Sequence, residues 1–207
     1  MRSMNLVILL ISNVLNADIA RNVLSCCSYH NQVIVCTGIG AGETFPSIFE
    51  AKNLRRNGSI FSEIYVIEEN DILFNHSQFV MAQHIKYHQP RNCKFYPVYH
   101  ANPVKELASI IKDINKPITF VLSSQFPDWT IPEKQNLILE ELDQIKQHHI
   151  KRHVILIDYI YFGNVDIESI KKKLLEINSH YIFKLEKGGH LGREENAVLA
   201  AFFDSKN

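Results

Sequence analysis

The stretch VIVCTGIGAGETFP, from Val33 to Pro46, runs from β-branched apolar residues straight into closely spaced glycines. Val33 to Cys36 reads as a strand, and Gly38, Gly40 and Gly42 follow it. Thr44 or Phe45 can then cap a helix that tolerates Pro46 in its first turn. Such a strand–glycine–helix junction brings backbone close to a ligand and aims free helix N–H groups at it. An ordinary strand–helix turn that uses glycine for tight geometry has the same letters, so the turn alone names no ligand. A dinucleotide pattern Gly-x-Gly-x-x-Gly begun at Gly38 is broken, because Glu43 stands at its last position.

Outward from the turn the pattern repeats. Ile48, Phe49 and Leu54 give the first helix a buried side, Arg55 and Arg56 suit its last turn, and Gly58 ends it. Ile64 to Ile67 is a second strand ending at Glu68-Glu69-Asn70-Asp71. A helix is predicted from about Asp71 to Tyr87, with Asp71 as its cap. Lys94 to Tyr99 reads as a third strand, which Pro97 marks as an edge or irregular one. Then come a helix Pro103 to Ile114, a strand Ile118 to Leu122 and the loop Ser123 to Trp129. A helix Pro132 to His148 leads to a strand Val154 to Ile157, ending at Asp158. A helix Asp166 to Ile177 precedes two last strands, Tyr181 to Leu185 and Ala197 to Phe203, with no helix between them.

Strands alternating with helices imply a mostly parallel sheet covered on both faces, and the missing last helix implies an antiparallel hairpin. Residues 1–207 are expected to form a single α/β domain. Residues 1–30 serve as a helical or strand–helix lead-in, in which 4–12 can be read either way.

Lys+Arg and Asp+Glu both number 22, so the strongly basic footprint of a nucleic-acid binder is missing. No run reaches the ~18–20 apolar residues of a bilayer span, so no membrane partner is expected. Cys26, Cys27, Cys36 and Cys93 form neither C-x-x-C nor a framework spacing and read as reduced thiols. The apolar run Leu6 to Ile11 is short and is separated by polar residues from any export cleavage point; a cytoplasmic location is expected. His84 and His88 stand four apart on a predicted helix, but the glutamate of a zinc-protease pattern is replaced by Ile85, and no metal site is expected. His148, His149 and His153 gather near a helix end, where the last carbonyls favour a protonated imidazole. Lys171-Lys172-Lys173 reads as a solvated helix face. No Gly-x-Ser-x-Gly elbow, P-loop or metal-finger spacing is present, which argues against hydrolase and nucleoside-triphosphatase readings.

With Gly38-Ile39-Gly40-Ala41-Gly42-Glu43-Thr44 after the first strand and Glu68 closing the second, the chain resembles the class I S-adenosylmethionine-dependent methyltransferases over residues 20–207. The resemblance implies a three-layer Rossmann-like methyltransferase fold, a mostly parallel seven-stranded sheet with a C-terminal antiparallel β-hairpin. It implies S-adenosyl-L-methionine as cofactor, bound across Gly38, Gly40, Gly42, Glu43 and Thr44. Glu68 would accept hydrogen bonds from the ribose hydroxyls, and His100 would lie at the adenine edge. From Phe120 to Phe203 the chain is similar to small bacterial methyltransferase-like proteins, in which an aspartate-containing loop follows strand four and Ile-Asp-Asp ends strand five.

The chain also departs from that pattern. Gly38 stands where the family has an acidic residue, Ser123-Ser124-Gln125 where the subset is acidic, and Ile157-Asp158-Tyr159 keeps one carboxylate of two. A hard cation needs several oxygen ligands, so metal-independent chemistry is expected. Asp158, delivered to the cleft mouth by its strand, is the candidate general base on an acceptor hydroxyl or amine, or else a cap. Gln125, Trp129 and Tyr159 at the same sheet end are candidate acceptor contacts, and Trp129 equally a packing residue for its loop. Two readings follow. One is methyl transfer from S-adenosylmethionine to a small-molecule or sugar-type acceptor, a reaction that needs positioning more than catalytic side chains. The other is a methyltransferase-like binding module without catalysis.

Overall fold

The computed structural model describes residues 31–38, 61–88, 93–123, 137–158, 166–186 and 198–203. The lead-in expected over 1–30 and the helix expected after Gly42 lie outside them. Among the described residues eight strands form one sheet. They are β1 (Val33–Thr37), β2 (Glu63–Glu68), β3 (Lys94–Phe95), β4 (Tyr99–His100), β5 (Ile118–Leu122), β6 (Val154–Asp158), β7 (Ile182–Glu186) and β8 (Val198–Phe202). The described helices are α1 (Asp71–His88), α2 (Pro103–Ile111), α3 (Leu137–Lys146) and α4 (Ile167–Ile177).

The strand order is β3-β2-β1-β5-β6-β8-β7, with β4 also on β2. β1 pairs in parallel with β2 and β5, and β5 in parallel with β6. β8 runs antiparallel to both β6 and β7, so the expected terminal hairpin is present. Its second strand is the one inserted next to β6.

The expected seven strands become eight because the third breaks at Pro97 into β3 and β4, both parallel to β2. Proline has no N–H for the ladder, so pairing lapses there. Side chains hold the broken edge in place. The Tyr96 ring stacks on Tyr65 at 4.0 Å between centroids. Both hydroxyls donate to Glu63 Oε2 at 3.2 Å. Lys116 Nζ reaches Glu63 Oε1 at 2.7 Å, and that hydrogen bond holds the Glu63 carboxyl below the usual carboxylate range.

Every residue of VIVCT in β1 and ITFVL in β5 is buried, as expected of interior parallel strands covered on both faces. Val33, Val35, Phe120, Leu122, Ile155 and Ile157 face the helical layer of α2, α3 and α4, whose Leu107, Ile111, Ile138, Leu142, Ile145, Ile170 and Leu174 fill the space between. The alternate residues Ile34, Cys36, Ile64, Val66, Val121 and Leu156 form the opposite face with Phe61 and Met81, the latter from α1.

Local signals set the helix ends. Asn70, not Asp71, caps α1: its Oδ1 accepts from the N–H groups of Ile72 and Leu73 at 3.0 and 3.1 Å. Pro103 opens α2 at a position where its missing N–H costs nothing. Asp166 caps α4 through the Glu168 N–H. α3 ends at Lys146, short of the expected His148, because Gln147 and His148 donate to carbonyls only three residues back. The lysine run of α4 is less solvated than expected: Lys171 pairs with Glu168, and Lys173 reaches Asp143 of α3 at 2.6 Å. Among the described residues no helix is long and apolar enough to cross a membrane. Cys36 is buried and Cys93 half-buried, both as free thiols; burial pushes the Cys93 thiol up to about 11.

At the amino end of the sheet, His148 and His153 are buried rather than held protonated by the helix end. The Ile118 N–H donates to His153 Nδ1 at 3.1 Å, which leaves the His153 proton on Nε2. That proton points at His148 Nδ1, 3.1 Å away, and His148 Nε2 donates in turn to the Ile114 carbonyl at 3.0 Å. The relay needs both rings neutral. Burial lowers both pKa values, His153 from 6.5 to about 3. Desolvation outweighs the attraction of the helix carbonyls.

A folded-state pKa below the unfolded one means that stability is fully present above pH 6.5 and is lost as pH falls toward 3. His153→Gln can accept from Ile118 and donate to His148 without titrating, so urea unfolding is expected to show it gaining stability relative to the unmodified protein as pH falls from 7 to 5, whatever the other titrating groups contribute to both.

Candidate functional site

The register of the parallel strands lines up their carboxyl ends. Glu68 pairs with His100, Thr37 with Ile67 and Leu122, and Leu122 with Ile157. One residue further on, His100, Glu68, Gly38, Ser123 and Asp158 fall in a single row across the sheet edge. β1 leads to β2 on one side while β5 lies on the other, so the chain diverges at Gly38. In an open α/β sheet that divergence is where a crevice forms.

A cleft of about 570 Å3 opens there, lined by Gly38, Glu68 to Asp71, Leu73, His100 to Asn102 and Glu106. Glu68 is 5% exposed, and its Oε1 accepts from the Asn70 N–H at 3.0 Å. Asn102 donates through Nδ2 to Glu69 Oε2 at 2.5 Å. Its Oδ1 is buried with no hydrogen-bond partner among the described residues. His100 stacks on Phe74 at 4.6 Å, and its Nε2 lies 3.1 Å from the Glu69 carbonyl and 3.0 Å from Asp71 Oδ1. Facing two acceptors, that nitrogen carries a proton. Among the described residues the lining has four carboxylates, Glu68, Glu69, Asp71 and Glu106, against one imidazole.

The turn at Gly38 is held from several sides. Gly38 has φ 59, a left-handed conformation that a Cβ disfavours. Its N–H donates to the Ile67 carbonyl at 3.0 Å. Ser123 donates its N–H to the Thr37 carbonyl at 3.1 Å, and its hydroxyl lies 3.1 Å from both the Thr37 and Gly38 carbonyls. Behind the turn, the Thr37 hydroxyl donates to Glu141 Oε2 at 3.0 Å. Glu141 is completely buried, and desolvation raises its carboxyl to about 8 despite the Thr37 hydrogen bond. The sequence reading missed this residue. Its signal was a carboxylate on the apolar stripe Ile138, Glu141, Leu142 and Ile145 of α3.

The sequence matches no family model and no curated protein. Solved structures are more informative. A Methylobacillus flagellatus methyltransferase, FkbM, superposes with TM-score 0.55 at 14% identity, over 90% of this chain and 48% of that one. A Streptococcus mutans protein assigned as a methyltransferase and crystallised with S-adenosylhomocysteine superposes with TM-score 0.50 at 12% identity, over 87% and 92%. The fold is that of the class I methyltransferases. At such identities the likeness concerns the fold.

Within this methyltransferase fold, Gly38, Glu68 and His100 line one cleft. Asp158 ends β6 opposite Val198, further along the same sheet edge. Gly40, Gly42, Glu43, Thr44, Gln125, Trp129 and Tyr159 lie outside the described residues. Among the described residues no group of three or more His, Cys, Asp or Glu side chains is placed to hold a metal ion.

The buried Glu141 carboxyl has a signature in stability. Its folded pKa is raised from 4.5 to about 8, so its contribution is present below pH 4.5 and is lost as pH rises toward 8. Glu141→Gln keeps an acceptor for Thr37 and does not titrate. Thermal melts are expected to show its stability gaining on the unmodified protein steadily between pH 4.5 and 8.

Proposed function

We propose that this chain binds S-adenosylmethionine in the cleft at Gly38, Glu68 and Asn102 and transfers its methyl group to a small-molecule acceptor. The observation that carries the reading is the meeting, in one cleft of about 570 Å3, of a glycine at φ 59, a buried strand-end glutamate and the unpartnered acceptor Asn102 Oδ1. The volume suits a nucleoside-sized ligand. Glu68, fixed through Asn70, offers its carboxylate to vicinal hydroxyls, and Asn102 Oδ1 offers an acceptor to an exocyclic amine. Gly38 leaves room for the ligand against the backbone. His100 lines the wall, with Nε2 already engaged.

Charge separates this ligand from its competitors. Four carboxylates attract a molecule carrying a sulfonium and an ammonium, and they repel the pyrophosphate of a dinucleotide. The same repulsion disfavours a nucleic-acid backbone at the mouth and favours a neutral or cationic acceptor. The bound S-adenosylhomocysteine of the Streptococcus mutans neighbour supports the choice.

When bound, S-adenosylmethionine supplies an already activated methyl group, so the chain's task is to orient donor and acceptor and exclude water. Asp158 stands two strand spacings from Gly38, roughly 10 Å along the row. It is the proposed base for an acceptor proton, with Gln125, Trp129 and Tyr159 as the neighbouring acceptor contacts.

Titration calorimetry tests the reading. Saturable binding of S-adenosylmethionine and S-adenosylhomocysteine is expected, with no competition by NAD. Loss of a hydrogen-bonding charge costs about 1.5–3 kcal/mol, so Glu68→Ala is expected to weaken binding about 10- to 100-fold. No heat at millimolar ligand would overturn the proposal. Binding without methyl transfer to any acceptor tried would favour the non-catalytic module, which the glycine at position 38 already suits.

A further inference from the structure

We propose that Glu141 is a positioning residue of this cleft, which acts through the Thr37 hydroxyl to fix the turn at Gly38 and so sets the affinity for the adenosyl ligand. The inference rests on the cleft reading above.

The placement of the carboxyl is unusual for a purely structural residue. Ile138, Leu142 and Ile145 share its helix face, all fully or almost fully buried. A leucine at position 141 would fill such a face without the cost of desolvating an acid. The carboxyl instead meets Thr37, the last residue of β1, at 3.0 Å. The next residue is the left-handed Gly38 of the cleft lining. β2 holds that residue through Ile67, and β5 holds it through Ser123. α3, by way of Glu141, adds the support that can change its protonation state.

The charges around Glu141 define its response. Glu69, at the end of β2 and in the cleft lining, acts on it through space and raises its pKa further. On α3 itself, Glu140 is exposed, and Asp143 is turned outward to Lys173 of α4. On α2, Glu106 faces the cleft. Glu141 therefore reports on the same acidic field that the ligand enters.

The test uses the full chain with S-adenosylhomocysteine as the probe in calorimetry. It compares the unmodified protein with Thr37→Val, Glu141→Leu, the double variant and Glu141→Gln. Removing one buried hydrogen bond is worth about 1 kcal/mol, so each of the first two is expected to raise Kd about fivefold. The double variant is expected to bind no more weakly than either single one, because both remove the same contact. Glu141→Gln retains an acceptor and is expected to bind close to the unmodified value. A second readout needs no ligand. In protein isotopically labelled at glycine, the Gly38 amide resonance is expected to titrate with a midpoint near 8 and to stop titrating in Glu141→Gln. Thermal melts establish that every variant is folded.

Unchanged affinity in both single variants, losses that simply add, or a Gly38 resonance indifferent to pH would each overturn the inference. An unmodified protein that binds no S-adenosylhomocysteine would overturn the adenosyl reading instead. The Gly38 titration would then still decide whether Glu141 sets the turn.

Discussion

The double pairing of β1 is the constraint on which the rest of the molecule depends. Both edges of this strand are spent on parallel ladders, to β2 and to β5, and both faces lie under side chains. A strand used in this way has only its carboxyl end left to offer. The strand order puts β2, the next strand in the chain, on one side of β1 and β5 on the other, and a crevice forms at the carboxyl end of such a divide. Gly38, Glu68 and Ser123 acquire their neighbours from the register alone, before any side chain is chosen.

The buried polar groups follow the same logic. Apart from Ser77 on α1 and Thr119 within β5, those among the described residues gather near the two ends of the strands, where the ladders stop and backbone groups need partners. At the carboxyl end Glu68 lines the cleft and Thr37 and Glu141 meet behind its turn; at the amino end His148 and His153 tie the start of β5 to the turn before it. Each end holds titratable groups whose burial disfavours their charged form, a carboxyl at one and an imidazole at the other. Their linkage to pH has the opposite sign, so raising or lowering pH strains different ends of the sheet.

Much of the fold was legible because its signals are local and repeated. Short β-branched runs, helix periods and a proline in the third strand named the elements, and the missing last helix named the reversed strand. The places of Glu68 and Gly38 at strand ends were legible because such ends can be read from apolar runs that stop. What stayed hidden depends on partners far apart in sequence. Glu141 looks like any helix glutamate until Thr37 is found against it. Asn70 and Asp71 are equally good caps on paper, and the choice falls to Asn70 because His100 engages Asp71. The histidines were misjudged for a related reason. The helix-end argument weighs a dipole that sequence reveals, while the decisive desolvation comes from packing against β5 and the segment before it.

The position of β8 has a consequence for how the molecule is assembled. Among the described residues β7, made earlier, pairs with the sheet through β8, which is made later and runs against it. Until β8 is in place, β6 ends the sheet with an open row of donors and acceptors, and β7 has nowhere to dock. β8 thus acts as a keystone: its insertion covers an aggregation-prone edge of β6 and recruits β7. Among the described strands, the far flank of the sheet, two strands removed from Gly38 at β6, thus depends on the one latest in the chain, while the crevice-forming strands precede it.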